Sequence, residues 1–276
     1  AKALSVRVSL QSSYDALPLA DQCRFRCLGV LETPSFGAEV VSALAEEALG
    51  QTKAGLERLA HRSLVQQAGE TRYRLHPLLR TYALEQLHAA NEYAAARCRH
   101  ADHYFSLARL NHAPEKYHVL DEELENLSMA IAWSYDQAQW SRVIRFVALL
   151  ADYWEARGYW GYAERYFQMA IQASQHLSDA TKEAELLNKL GILKWNLGRL
   201  DDALKTHERA IAVAIQAGHP DQAAYGRFLC GNVFLVKGEL ERAHERYQQA
   251  ITEAGQEDAL LAARAWNNLG EIHRIQ

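Results

Sequence analysis

The chain has 276 residues, 49% of them apolar and 23% charged, with a formal net charge of -4, a composition that can bury a substantial core in one long domain or two ordinary ones. Residues 1–88 carry ten Lys or Arg against nine Asp or Glu and the remainder twenty against twenty-five, so neither part is basic enough for non-specific nucleic-acid binding to be the main activity. No apolar run approaches the roughly 20 residues that span a bilayer, and no charged, apolar, then small-residue start marks a secretory leader.

Only five prolines interrupt a sequence rich in Ala, Leu, Glu, Gln and Arg, which predicts a mainly α protein. Residues 4–16 and 18–31 read as two helices divided by Pro18, the second with Phe25, Leu28 and Leu31 on one face. Thr33-Pro34-Ser35 breaks the chain. A third helix, about 37–49, carries Val40, Val41 and Leu44, with Gly50 as its expected end, and a fourth runs from about 52 to 62. Leu64–Gln67, a Gly69-Glu70 turn and Thr71–Leu75 form the one expected hairpin, where Tyr73 and Leu75 alternate. The chain then passes through His76 and Pro77 into an amphipathic helix. Helices followed by a hairpin and a further helix describe a winged-helix domain over residues 1–90. Its candidate recognition helix offers Lys53, Arg58, His61 and Arg62, but Glu57 lies among them and Gln66, Gln67 and Glu70 occupy the wing, a pattern that reads as solvated surface.

Cys23, Cys27, Cys98 and Cys230 are few and scattered, as expected of free thiols in a reducing cytoplasm. Residues 91–117 read as a helical linker, with Tyr104, Leu107 and Leu110 at helical spacing and Pro114 as the interruption. Cys98, His100 and His103 fall close together there. Without a second Cys/His pair they predict no metal site.

From residue 118 to 276 the chain repeats with a period of about forty. Gly158, Gly198 and Gly238 mark it; so do Ala163, Ala203 and Ala243, Ala170, Ala210 and Ala250, and Ile171, Ile211 and Ile251. Leu120, Leu127, Ala130 and Ile131 carry the register one period back without the glycine. Gly191, Gly231 and Gly270, on the other helix, predict close helix packing. Glycine turns the chain between two helices, alanines let them approach, and stacked hairpins bury what one hairpin cannot, giving an α-solenoid.

This pattern resembles the tetratricopeptide repeat: Leu190-Gly191, then Gly198, Ala203 and Ala210, stand where its leucine-glycine, turn glycine and two alanines belong, and Leu269-Gly270 starts a further unit. The period exceeds the family's usual one, and the extra length is expected between hairpins, for example around Ser174–Glu183, as longer helices or loops. The resemblance implies a groove for a protein or peptide, with Arg145, Asp152, Glu155, Asn188, Ile192, Trp195, Asn196, Tyr225, Asn232, Leu235, Asn267 and Glu271 on its concave wall.

A second resemblance joins the two parts. Ser9–Pro18, Phe25–Leu31, Leu59–Val65 and Tyr73-Arg74-Leu75-His76-Pro77-Leu78-Leu79-Arg80 look like the winged-helix segment of the NB-ARC-type STAND signal-transduction ATPases, and Leu120–Leu127 with Ala130-Ile131-Ala132-Trp133 resembles the start of the repeats in the bacterial members. In that family a nucleotide-binding domain precedes the winged helix. No Gly-x-x-x-x-Gly-Lys-Ser/Thr loop occurs in residues 1–276, so the resemblance implies a non-catalytic regulatory portion that holds no cofactor itself and serves a parent using ADP and ATP. It also implies that His76, at the position of the family's Met-His-Asp histidine, contacts the phosphate of ADP from the preceding domain. Leu75 and Pro77 replace the flanking methionine and aspartate, so only the histidine carries over. The expected partners are that upstream domain and a groove ligand, with no membrane, no nucleic acid and an oligomer of the parent on activation, in the cytoplasm. The alternative is a DNA-binding winged-helix transcription regulator with a sensing or dimerising solenoid.

Overall fold

The computed structural model describes residues 2–254 and 258–275, with side chains from residue 7, and divides into two compact units, Ala1–Asp136 and Gln137–Gln276. In the first unit α1 (Lys2–Asp15) and α2 (Leu19–Cys27) are followed by a 3-10 turn, Leu28–Val30, and by β1 (Ser35–Gly37). Then come α3 (Ala38–Ala45), α4 (Leu49–His61), β2 (Gln66–Ala68), β3 (Arg72–Arg74) and α5 (Pro77–Ala89). The sheet is antiparallel in the order β1-β3-β2, with Phe36 and Gln67 both opposite Tyr73. Phe36 and Tyr73 stack with ring centroids 6.2 Å apart, over a core of Phe25, Leu28, Val41, Leu44, Leu56 and Leu59 that is closed to solvent.

The expected hairpin is present, and two local readings are corrected. The break at Thr33-Pro34-Ser35 leads directly into β1, a strand of three residues, too short for alternation to show in sequence and held by pairing with a partner 37 residues away. Gly50 does not end α3. Glu46 does so with φ 55°, and Gly50 lies inside α4. The corner is fixed by polar groups instead: the Ser42 hydroxyl donates to the Glu47 carbonyl at 2.7 Å, and the Glu47 carboxylate accepts from Arg24 and, at 3.0 Å, from Thr52. Asp21, fully buried, accepts from Arg24 and from Arg58 at 2.8 and 2.9 Å, so α2, α4 and the α3–α4 corner share one ion network.

Residues 93–136 belong to this unit's core. The long helix α6 (Tyr93–Leu110) buries Ala96, Ala101, Tyr104 and Ala108 against α3 and against α8 (Leu124–Asp136), which follows α7 (Tyr117–Asp121). The link is polar. Glu123, 6% exposed, accepts from Arg72 at 2.9 Å, from the Tyr104 hydroxyl at 2.7 Å and from Asn126 at 2.9 Å. The Asn126 carboxamide oxygen takes the Glu32 backbone N–H at 2.8 Å. One buried carboxylate and one buried amide thus tie α6 and α8 to the sheet.

Among its described residues the second unit holds seven helices: α9 (Trp140–Arg157), α10 (Trp160–His176), α11 (Ala180–Asn196), α12 (Leu200–Gln216), α13 (Pro220–Lys237), α14 (Leu240–Ala254) and α15 (Ala259–Ile275). It is a tetratricopeptide-like solenoid of antiparallel pairs, α9 with α10, α11 with α12 and α13 with α14. The first helices of successive pairs also touch, α11 on α13 and α13 on α15. The forty-residue period resolves into a step of twenty. From α8 to α13 a residue in the left-handed region ends each helix or its capping turn: Ala138, Gly158, Ser178, Gly198, Gly218 and Gly238. The added length therefore goes into helices, of 17 or 18 residues from α9 to α13, and the connection between α10 and α11 is only Leu177 to Asp179.

Within the pairs a small residue on the first helix faces a ring on the second. A Cβ built on Gly191 would lie 2.3 Å from the His207 ring, and one on Gly231 would lie 2.6 Å from Tyr247. At Gly270, on α15, after which no further helix is described, a Cβ meets nothing within 4 Å among the described residues. The equivalent pair in α9–α10 is Ala151 with Phe167.

Candidate functional site

The first helices of the pairs form one wall of the second unit, and the structure places all twelve residues expected on it within α9, α11, α13 and α15. They are not equivalent. Arg145, Asp152, Glu155, Asn196 and Asn267 are exposed, whereas Ile192, Trp195, Tyr225 and Leu235 are half-buried and pack on the core between pairs. Asn188 is 1% exposed and sits under the wall, its Oδ1 3.1 Å from His207 Nδ1. Asn232 accepts from the Tyr247 hydroxyl at 2.8 Å and from Asn268 at 3.0 Å, which makes it part of the pairing of α13, α14 and α15. Glu271 is held by Arg274 one turn on.

Four of these residues are brought together. Asp152, Glu155, Ile192 and Asn196 line a cavity of about 160 Å³ between α9 and α11, with Asn196 donating across its mouth to Glu155 at 3.1 Å. The floor is Ala151, Phe167 and Leu193, and Lys189 adds one cation to the rim. Sequence reasoning missed Lys189 and Phe167. The signal for Phe167 was present, because it shares its register with His207 and Tyr247, forty residues apart. The cavity coincides with the pair whose small residue is Ala151 rather than glycine. An apolar floor with an acidic, amide and ammonium rim fits an extended peptide with mixed side chains better than a single charged small molecule.

Electrostatics inside the array favour neutral buried groups. His207 is pushed down to about 4, by burial first and then by the charge of Lys194, so it is an uncharged imidazole facing Asn188. In the first unit His100 is pushed down to about 3 by burial and then by Arg97. Among the described residues no group of three or more His, Cys, Asp or Glu is placed to hold a metal ion. The four cysteines are unpaired, Cys27 and Cys230 buried and Cys23 and Cys98 half-buried. No described helix is long and apolar enough to cross a membrane.

His76 stands between β3 and α5 as the N-cap of that helix. Its Nδ1 accepts the Leu78 N–H at 3.2 Å and Pro77 occupies the first helical position, where a missing N–H costs nothing. The ring is exposed.

Residues 182–252 match the family model described as tetratricopeptide repeat. The chain is 26% identical over 249 residues to the candidate HTH-type transcriptional regulators Rv0890c of Mycobacterium tuberculosis and Mb0914c of Mycobacterium bovis, matching 82% of this chain and 28% of theirs. It therefore spans little more than a quarter of the curated relatives it matches. Among solved structures, aspartyl phosphate phosphatase F from Bacillus subtilis is similar with a TM-score of 0.50 and 17% identity, over 96% of this chain and 72% of that one. A STAND protein with a tetratricopeptide repeat sensor, PH0952 from Pyrococcus horikoshii, aligns with a TM-score of 0.41 and 14% identity, over 97% of this chain and 49% of that one.

Proposed function

We propose that this chain is the non-catalytic regulatory and protein-interaction portion of a nucleotide-switched signalling ATPase of the NB-ARC type, acting in the cytoplasm. Its first unit holds an ADP-bound off state, and the wall of its second unit receives a protein or peptide whose binding releases that state. The observation that carries the reading is His76. Because Nδ1 accepts from Leu78, the ring proton resides on Nε2, which makes no hydrogen bond among the described residues. An exposed N–H donor at the positive end of a helix suits a phosphate oxygen presented by a neighbouring domain. The element order supports this. α2, β1, α3, α4 and then the β2–β3 hairpin, with β3 central, reads as a winged helix whose last strand delivers His76.

The nucleotide part is tested in the complete protein by the rate of release of a fluorescent ADP. His76→Ala is expected to release it several-fold faster without altering the circular dichroism, and equal rates would remove the latch. The partner part is tested by capture of interacting protein on the complete chain. Replacing Asp152 and Glu155 by Lys is expected to abolish it, and capture unchanged by that double substitution would move the partner off this wall.

A second reading, a DNA-binding regulator, is favoured by the names of the mycobacterial relatives. Against it, Arg58 of the candidate recognition helix is committed to the buried Asp21, which leaves Lys53, His61 and Arg62 exposed. A salt-dependent mobility shift of duplex DNA would favour it, and no shift at low salt would remove it.

A further inference from the structure

The opposite face of the second unit carries a larger opening than the wall does. Between the second helices α10 and α12 lies a cleft of about 460 Å³, floored by Ile171, Leu187 and Leu190. Its rim is of one sign. Lys194, Lys205 and Arg209 converge there with Thr206, Gln168 and Gln175, and no carboxylate lines it.

The three cations are unequally compensated. Arg209 donates to Glu183 at 3.0 Å, beyond the rim, and Glu183 also accepts from Gln175 at 2.5 Å. Lys194 is half-buried, yet its ammonium donates only to the Thr206 hydroxyl, at 2.9 Å. That hydroxyl passes its own proton to the Asp202 carbonyl at 2.7 Å, so Lys194 is held by a neutral chain of donors. Lys205 makes no ion pair among the described residues. The carboxylate nearest to it in effect, Asp201, is bonded to Lys237 at 2.7 Å. The cleft is therefore built for a charge that arrives from outside. Lysine and arginine with hydroxyl and amide donors are the groups that hold phosphate oxygens, and the volume falls within the range of small-molecule sites, roughly 300–1,000 Å³.

We propose that this cleft binds a small phosphate ester, its phosphate among Lys194, Lys205 and Arg209 and its organic part over Ile171, Leu187 and Leu190. The array would then carry two sites on opposite faces of the same helices, since α11 supplies Ile192 and Asn196 to the peptide wall and Leu187, Leu190 and Lys194 to the cleft. This proposal does not depend on the ATPase reading.

The test is isothermal titration of the 276-residue chain with phenyl phosphate and with phenol as the uncharged control, at ionic strength held constant with chloride. Saturable binding of phenyl phosphate with a stoichiometry of one, and none of phenol, is expected. Replacing Lys194 and Lys205 together by Gln should weaken it at least tenfold, whereas Lys189→Gln, on the wall cavity, should leave it unchanged. Lys205→Gln alone, at an exposed position where folding is not at issue, should weaken it several-fold. Absence of saturable binding, or equal affinity in the wild type and the Lys194/Lys205 variant, overturns the proposal. So does binding of a phosphorylated peptide through these lysines while phenyl phosphate stays inert, because the occupant would then be a protein.

Discussion

In the 276-residue chain, where α14 packs on α13 and no described helix follows α15, adding one methyl group at Gly231 and at Gly270 should have opposite effects. At Gly231 the new Cβ would lie 2.6 Å from Tyr247 Cε1 and 2.7 Å from Cδ1. The ring has nowhere to go. It is closed to solvent, and its hydroxyl is held by Asn232 at 2.8 Å and Asn268 at 3.1 Å. Overpacking of this kind costs about 1–3 kcal/mol, and displacing the hydroxyl puts hydrogen bonds worth about 1 kcal/mol each at risk. Against this, alanine in a helix interior is favoured over glycine by about 1 kcal/mol. Gly231→Ala should therefore destabilise the α13–α14 pair by about 2 kcal/mol, while Gly270→Ala, with open space around it, should gain about 0.5–1 kcal/mol. Amide hydrogen exchange read by mass spectrometry on peptides from α13, α14 and α15 gives the opening free energies directly and avoids assuming that both units unfold together. Tyr247→Ala should abolish the penalty at Gly231 in a double-mutant cycle. An unchanged penalty in the Tyr247→Ala background, or a Gly270→Ala variant less protected than Gly231→Ala, would refute the argument that the ring dictates the glycine.

Acid should loosen the second unit before ordinary carboxylates titrate. The folded His207 is depressed to about 4 while an unfolded histidine titrates near 6.5, so its stabilising contribution is complete above about pH 6.5 and declines as pH falls toward 4, by about 2 kcal/mol between pH 7 and 5. Exchange protection of α11 and α12 should follow that curve, and His207→Gln should flatten it. His100 acts in the same direction within the first unit. Asp21→Asn leaves Arg24 buried without one of its two carboxylates and should cost about 3 kcal/mol in urea unfolding. Burial opposes the ionisation of Asp21, but Arg58 and then Arg24 outweigh it and hold its pKa below the usual value, so its contribution is present above about pH 4 and lost below it. That acid limb should vanish in Asp21→Asn. Arg72→Met removes contacts to Ser35, Glu122 and Glu123 while keeping the strand, and should raise exchange in α8 without unfolding the β2–β3 hairpin.

What the sequence disclosed depended on whether a residue type has one structural use or several. Glycine and alanine at forty-residue spacing have few uses, so the solenoid and the pairing of its helices were legible. The twenty-residue step beneath it was not, because Ala138 and Ser178 fill left-handed positions that glycine fills at Gly158, Gly198, Gly218 and Gly238. Polar residues have several uses, and the wall shows the consequence. Asn188 and Asn196 lie on one helix, yet the first is buried against His207 and the second bridges the cavity to Glu155. Nothing at Asn188 itself distinguishes the two. The distinction comes from position 207, nineteen residues on, where the ring needs a polar partner that the neighbouring Gly191 leaves room for. The same dependence on a distant partner hid β1, the role of Arg72, and the membership of residues 93–136 in the first unit, all of which rest on pairings with Tyr73, Glu123 or Asn126. In an array built by repetition, the conspicuous residues are those that every repeat uses, and they make the scaffold. Lys194 and Arg209 on one face, and Asp152 and Lys189 on the other, do not recur at forty residues as like charges, and both cavities lie there. The positions at which the period breaks, more than those at which it holds, are therefore where binding should be sought.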